Sequence, residues 1–364
     1  MASQPSSMDK PVEESSELRK DPVLDRWVII AASRGKRPHD FAATPEETKS
    51  AGCPFCGGNE AKTPPEIYAV READTARNTP GWEVRVVQNK FPALTIEASL
   101  ERSGIGLLDR LGGFGAHEVV IETPDHALDL ALADPGHINT VLSVFRERLV
   151  DLRNDARFRH IIIFRNYGSA AGASLSHPHS QLIALPIVPL LVKEKLTSAR
   201  EHFLQKERCI FCDLLEQETA IPDRVVSENE HFVVLSPFAA RFPFELQIYP
   251  RRHMHDYTLM SDEEQFSLAH ILKQTLLQYR ELLGDPAYNL MLQTAPSIRA
   301  RPGHPEYWGT VALDYHWHIE LMPRLTKTAG FEWGTSFYIN PVSPELAKQF
   351  LRREIQEQET AVSG

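Results

Sequence analysis

One order of residues occurs twice in this chain, and any fold for it must be built twice. In the first half, Cys53-Pro54-Phe55-Cys56 is followed by Asn89-Lys90-Phe91-Pro92 and a strand-like run Glu118-Val119-Val120-Ile121. A turn with Pro124 and His126 comes next, then an apolar run from His160 to Phe164, and the half closes on His177-Pro178-His179-Ser180-Gln181. In the second half, Cys209-Ile210-Phe211-Cys212 leads to Glu228-Asn229-Glu230-His231-Phe232, Glu245-Leu246-Gln247-Ile248, Pro250 and His253. A run from Tyr288 to Leu292 follows, and this half closes on His316-Trp317-His318-Ile319-Glu320. The intervals differ between halves, which marks a diverged duplication rather than a solenoid. Apolar residues recur at three- and four-residue steps over His137 to Leu152 and Asp262 to Leu283, so each half also carries a long helix. The expected fold class is α+β: two related halves joined near residues 188 to 205, each a mainly antiparallel sheet with packed helices.

A chain of 364 residues is long enough for a large core or two domains. The first sixteen residues are rich in Ser, Pro and Glu and read as a disordered tail, leaving halves over 17–190 and 200–355. No apolar run is long enough for a membrane span, and the N-terminus lacks the apolar stretch of a signal peptide. The expected location is the cytoplasm. A formal net charge of -10 opposes a broad grip on nucleic acid but not a pocket for one nucleotide. All four cysteines lie in Cys-x-x-Cys pairs, which in a reducing compartment point to metal ligation or to redox chemistry.

Each half offers two thiols, a loop histidine and a histidine before the closing run. Such a set suits tetrahedral zinc. The candidate sets are Cys53, Cys56, His126 and His177, and Cys209, Cys212, His253 and His316. A redox dithiol would leave the matching histidines unexplained. In the second set His255 competes with His253, which is otherwise a surface histidine beside Arg251 and Arg252. Four protein ligands close the coordination sphere, so both zinc sites are expected to be structural.

On an extended strand, residues two apart share a face, so His177, His179 and Gln181 are expected side by side. With His177 on the metal, His179 is a free imidazole at a fixed position, suited to in-line attack on phosphorus. Gln181 could donate to a phosphate oxygen as charge builds. Upstream, the small residues from Gly168 through Gly172 to Ser174 let backbone N–H groups approach phosphates closely. Alone that signal is weak; joined directly to His-Pro-His-Ser-Gln it is strong. The alternative, that both histidines are structural, leaves the joined motif without a role. His318 holds the corresponding place in the second half, but no small-residue loop precedes it, which favours a packing role there.

The segment Phe164-Arg165-Asn166-Tyr167-Gly168 through Ser174 to His177-Pro178-His179-Ser180-Gln181 resembles the Asn-x-Gly, Gly-x-Ser and His-Pro-His-x-Gln pattern of the galactose-1-phosphate uridylyltransferase family, in the histidine-triad superfamily. Asp21-Pro22-Val23 to Arg26-Trp27-Val28, then Arg34-Gly35-Lys36-Arg37-Pro38, is similar to the family's N-terminal motif, whose basic residues face the phosphates. The resemblance spans nearly the whole chain. It implies zinc at the first four-residue set and a ping-pong reaction in which His179 takes a nucleotidyl group from a nucleotide sugar. Hexose 1-phosphate leaves, and a second phosphate acceptor then removes the nucleotidyl group. By matching position, Arg34, Arg37, Asn89, Asn166, Ser174 and Gln181 would hold the nucleotide and phosphates, together with Gly168 and Gly172. It also implies a homodimer whose late segment completes the partner's sugar pocket. There the sequence departs from the family. The family pattern Lys-Phe-x-Val-Gly-Tyr-Glu is replaced by Gly330-Phe331-Glu332-Trp333-Gly334-Thr335-Ser336, leaving Phe331 as the candidate contact. This departure and the second Cys pair resemble the ADP-glucose phosphorylase branch, which uses the same histidine for adenylyl transfer to phosphate. The expected function is therefore a hexose-1-phosphate nucleotidyltransferase, uridylyltransferase-like, with ADP-glucose phosphorylase as the alternative. A simple histidine-triad hydrolase would not need the duplication, and a nucleic-acid-binding zinc module would need a basic surface.

Overall fold

The computed structural model describes residues 15–31, 52–299 and 308–352. Its centre is one sheet of ten strands. The first half contributes β1 (Glu66–Arg71), β2 (Trp82–Gln88), β3 (Ala116–Ile121), β4 (His160–Tyr167) and β5 (His179–Leu185). The second contributes β6 (Val225–Glu228), β7 (Phe232–Leu235), β8 (Leu246–Pro250), β9 (Tyr288–Gln293) and β10 (His318–Pro323). Along the sheet the order is β1-β2-β3-β5-β4, then β9-β10-β8-β7-β6, with every neighbouring pair antiparallel. The second half thus repeats the first in mirror order. The two meet where β4 pairs with β9, Asn166 opposite Asn289. The duplication read from the motifs is a duplication of five-stranded units, fused edge to edge. This fusion pairs the strand edge that each unit would otherwise leave open.

Around this sheet lie helices α1 (Pro135–Leu152), α2 (Leu190–Lys206), α3 (Ile210–Ala220), α4 (Asp262–Leu282), α5 (Val311–Asp314) and α6 (Gly330–Thr335). The two helices expected from periodicity are α1 and α4. Asp134 caps α1 through His137 N–H, and Ser261 with Glu264 forms a reciprocal capping box on α4. Both lie on one face of the sheet. Val141, Leu142 and Phe145 of α1 and Leu268, Leu272 and Leu276 of α4 join Leu182, Leu290, Ile319 and Leu321 of the strands in one core. Each such burial contributes about 1.5–3 kcal/mol. Strand alternation sends Val120 to this core and Val119 and Ile121 to the opposite face, where each Cys pair has its own smaller cluster.

The join near residues 188 to 205 is a helix, α2, which buries Val192, Lys195, Leu196 and Ala199. Residues 17–31 pack on the second half. There strand Trp27–Ile30 runs parallel to Tyr338–Asn340, and Val28 and Ile30 bury against Ala239. No helix of the described residues is long and apolar enough to cross a membrane.

His160, the first residue of β4, is 1% exposed, and neither ring nitrogen has a hydrogen-bond partner among the described residues. Burial, with help from Arg153, lowers its pKa to about 4. Unfolding raises that pKa, so between about pH 6.5 and 4 the unfolded chain binds more protons and stability falls as pH falls. The loss amounts to on the order of 3 kcal/mol by the acid end of that window. A His160→Leu variant is expected to show a flatter denaturation-midpoint curve over that window than the parent protein. Parallel curves would contradict this assignment.

Candidate active site and metal centres

The Cys53–Cys56 turn is held to the loop carrying His126 by Gly57 N–H, which donates to the Pro124 carbonyl at 3.1 Å. This brings four ligand atoms together. Cys53 Sγ lies 3.6 Å from His177 Nδ1, Cys56 Sγ 3.5 Å from His126 Nδ1 and 3.7 Å from His177 Nδ1, and the two Nδ1 atoms are 3.3 Å apart. A tetrahedral ion with ~2.3 Å bonds to sulfur and ~2.05 Å bonds to nitrogen separates its ligands by about 3.5 Å (S–N) and about 3.3 Å (N–N). The four residues fit such an ion. His177 Nε2–H donates to the Thr123 carbonyl at 2.7 Å, and His126 Nε2 lies 3.1 Å from Ser176 Oγ. A proton on Nε2 of His177 leaves the Nδ1 lone pair facing the thiols. Burial lowers the His177 pKa to about 4, so the ring is a neutral ligand.

Cys209, Cys212, His253 and His316 form the second group, whose ligand atoms all lie within 4.8 Å of one another. Cys212 Sγ is 3.2 Å from His253 Nδ1 and 3.6 Å from His316 Nδ1. The Nε2 atoms again point outward, His316 to the Pro250 carbonyl at 2.9 Å and His253 to the Ala312 carbonyl at 3.0 Å. Of the competing histidines, His253 is the one in this group; His255 lies outside it.

β5 begins at His179, so His177 stands in the bend before the strand rather than on it. The two rings still share a side, because Phe55 presents its ring to both, with centroids 5.9 Å and 5.4 Å away. His179 Nδ1–H donates to the His177 carbonyl at 2.7 Å. That bond fixes the tautomer and leaves Nε2 as the basic nitrogen. His179 is 6% exposed, and burial holds its pKa below the usual histidine value, so the ring is neutral and nucleophilic near pH 7.

Gln181 points to the same side of β5, and its Oε1 lies 2.9 Å from His117 Nε2. Sequence reading missed His117. A lone histidine on a strand carries no motif, and its meaning comes from the pairing of β3 with β5. Asn89 is docked on the same residue: its N–H donates to the His117 carbonyl at 2.8 Å. Asn166, the last but one residue of β4, lies two residues past the Phe164–Gln181 pair, so the register continued leads it to His179. The second half braces it. Asn289 Nδ2 donates to Asn166 Oδ1 at 2.8 Å and to the Ala171 carbonyl at 2.9 Å, while Arg324 Nε donates to Asn289 Oδ1. Gly168 and Gly172 both have positive φ, 77° and 89°. A Cβ on Gly168 would lie 2.7 Å from Ala287 Cβ, so the loop needs glycine there for conformation and for space.

Ser174 is exposed in the stretch between this loop and His177. Phe331 lies on α6, and no described contact brings it to His179. Arg34 and Arg37 lie outside the described residues.

The second half shows the same frame with a different filling. Register places Gln247 opposite Glu320 as Val119 stands opposite Gln181, so Glu320 takes the place of Gln181 and His318 that of His179. His318 Nδ1–H donates to the His316 carbonyl at 3.0 Å, as in the first half. Its Nε2, however, is 3.0 Å from Lys195 Nζ, which also pairs with Glu320. Tyr249 stacks on the ring at 4.9 Å. His318 therefore has its Nε2 engaged by a buried ammonium and its ring stacked on Tyr249, and differs in both from His179.

Models of the N-terminal and C-terminal domains of galactose-1-phosphate uridyl transferase match residues 8–189 and 161–330. An ADP-glucose phosphorylase of Arabidopsis thaliana is 36% identical over 344 residues, 93% of each chain. A galactose-1-phosphate uridylyltransferase of Thermotoga maritima is 33% identical over 345 residues, 92% of this chain and 98% of that protein. The crystal structure of an Arabidopsis ADP-glucose phosphorylase with bound ADP-glucose superposes with a TM-score of 0.77 at 34% identity, covering 93% of this chain and 98% of that one. A uridylyltransferase structure gives 0.71 at 28% identity, covering 94% and 99%. With both domain models in chain order and relatives matched nearly end to end, this chain belongs to the galactose-1-phosphate uridylyltransferase family.

Proposed function

We propose that the protein transfers a nucleotidyl group between a nucleotide sugar and a phosphate-bearing acceptor through a covalent nucleotidyl-histidine at His179. The observation that carries this is the His179 ring itself: Nδ1–H is committed to the His177 carbonyl, which makes Nε2 the basic nitrogen, and Gln181 follows two positions on along the same face of β5. In the first step Nε2 attacks the α-phosphorus, an N–P bond forms, and the P–O bond to hexose 1-phosphate breaks. The positive charge that develops on the ring is shared with the His177 carbonyl through Nδ1–H. In the second step an acceptor phosphate oxygen attacks the same phosphorus and the N–P bond breaks, which restores the neutral imidazole. The Gln181 amide, the Asn89 and Asn166 amides, Ser174 and the loop N–H groups would hold the phosphate oxygens. Arg34 and Arg37 would add cationic contacts. Both four-residue groups are read as closed structural zinc sites, in the reducing cytoplasm where their thiols stay free. The sugar end of the pocket is assigned to a homodimer, with Phe331 and the exposed Trp333 of α6 offered to the partner copy.

On the uridylyltransferase-like reading, UDP-glucose is the donor and galactose 1-phosphate the acceptor. A second reading, adenylyl transfer from ADP-glucose to phosphate, is favoured by a specific observation. The family's hexose-contacting Tyr and Glu are Thr335 and Ser336 here, on the last turn of α6 and the positive-φ residue after it. Isotope exchange separates the two: UDP-glucose with labelled galactose 1-phosphate, against ADP-glucose with labelled phosphate. One pair is expected to exchange in the wild type, and His179→Ala is expected to lower that exchange by more than about 10³-fold. Exchange that persists in His179→Ala overturns the proposal.

Elemental analysis is expected to find two zinc ions per chain. Cys53→Ala should remove one, Cys209→Ala the other, and each should lower the denaturation midpoint, since structural zinc contributes directly to folding. His179→Ala should retain both. Zinc loss in that variant would mean that His179 is a ligand.

A further inference from the structure

His117 is a buried residue of β3 that lies between two of the candidate phosphate-holding side chains. Its Nδ1 lies 3.2 Å from the Ala93 backbone nitrogen, whose N–H is a donor without ambiguity. A ring that accepts at Nδ1 carries its proton on Nε2. The group facing Nε2 must then accept, and that group is Gln181 Oε1 at 2.9 Å. The imidazole therefore decides which way the Gln181 amide points: oxygen toward β3, NH2 toward the His179 side. Asn89 Nδ2, whose amide oxygen accepts from Phe91 N–H, also lies 3.1 Å from Nε2, but as a donor it cannot bond to Nε2–H, so that proton serves Gln181 and the Asn89 turn is held through the His117 backbone carbonyl.

The second half gives independent support. By register, Glu320 stands where Gln181 does and Glu245 where His117 does. Arg241 Nη2 bridges these two carboxylates at 2.8 Å and 3.1 Å. Both halves thus tie the same two positions together, the inert one by a guanidinium between two anions. The half that carries His179 ties them by an imidazole–amide contact instead.

We propose that His117 is a positioning residue for nucleotidyl transfer, orienting the Gln181 NH2 toward a non-bridging oxygen of the phosphate under attack. This rests on the His179 reading, and the test separates the two. Single-turnover formation of the nucleotidyl adduct is followed by intact-protein mass spectrometry with UDP-glucose and with ADP-glucose, first in the wild type. His117→Gln and His117→Met are then compared. The side chains are similar in volume, but only glutamine can donate to Gln181 Oε1. His117→Met is expected to form the adduct roughly 10–100-fold more slowly, the usual range for losing an orienting partner, and His117→Gln to recover most of the rate. In a Gln181→Ala background, His117→Met should add no further loss, because the residue acts through the amide. Metal content and denaturation midpoint serve as folding controls. Equal rates in the Gln and Met variants, or a full additional loss in the Gln181→Ala background, overturn the positioning role while leaving His179 as nucleophile. A wild type that no nucleotide sugar labels overturns both.

Discussion

His177 is held at two points, and the site depends on that. Its ring nitrogen closes a tetrahedron with Cys53, Cys56 and His126, while its backbone carbonyl accepts the Nδ1–H of His179. A ligand residue that is fixed in place thereby fixes the tautomer and direction of the residue two positions on. A buried neutral imidazole needs no activating base, since its Nε2 lone pair is available as it stands. In the proposed reaction the protein has only to hold that lone pair in place and to supply donors to the phosphate.

The same frame occurs twice, with different surroundings for its second histidine. Both halves place a His-x-His at the start of the strand that pairs with their third strand, and both anchor the first histidine near a Cys pair. Small changes separate the outcomes. Gly168 and Gly172, both at positive φ, shape the loop in the first half, and among the described residues no positive-φ glycine lies between β9 and His318. Lys195, from the helix that links the halves, reaches His318 Nε2, and Tyr249 covers the ring. The second half still serves the first, because Asn289 and Arg324 hold Asn166 and the Ala171 carbonyl across the β4–β9 join. The fusion of the two sheets therefore explains why a chain with one free histidine keeps both units.

Much of this was legible before any coordinates, and the reasons are physical. Cys-x-x-Cys and His-x-His are local patterns whose chemistry survives in the spacing, so the two four-residue groups that the fold brings together could be read directly, and the roles proposed for His179 and Gln181 rest on the same motif. The long helix of each half, α1 and α4, declared itself through apolar periodicity, while α2 and α3 did not. What could not be read depends on strand register and on distant segments. His117 meets Gln181 only when β3 lies beside β5, and Lys195 reaches His318 from 123 residues away. The bend at His177 was hidden as well. Alternation suggested a continuous strand, but the ring has to turn toward its ligand set, and β5 begins only after Pro178.

The most direct test of the asymmetry at the centre of this account is to locate the covalent group. The protein, trapped during turnover with its nucleotide sugar and no acceptor, is digested under conditions that preserve a phosphoramidate, and the peptides are sequenced by mass spectrometry. The account predicts one nucleotidyl group per chain, on the peptide bearing His179, with the His318 peptide unmodified. Modification of His318, or of both histidines, would contradict it.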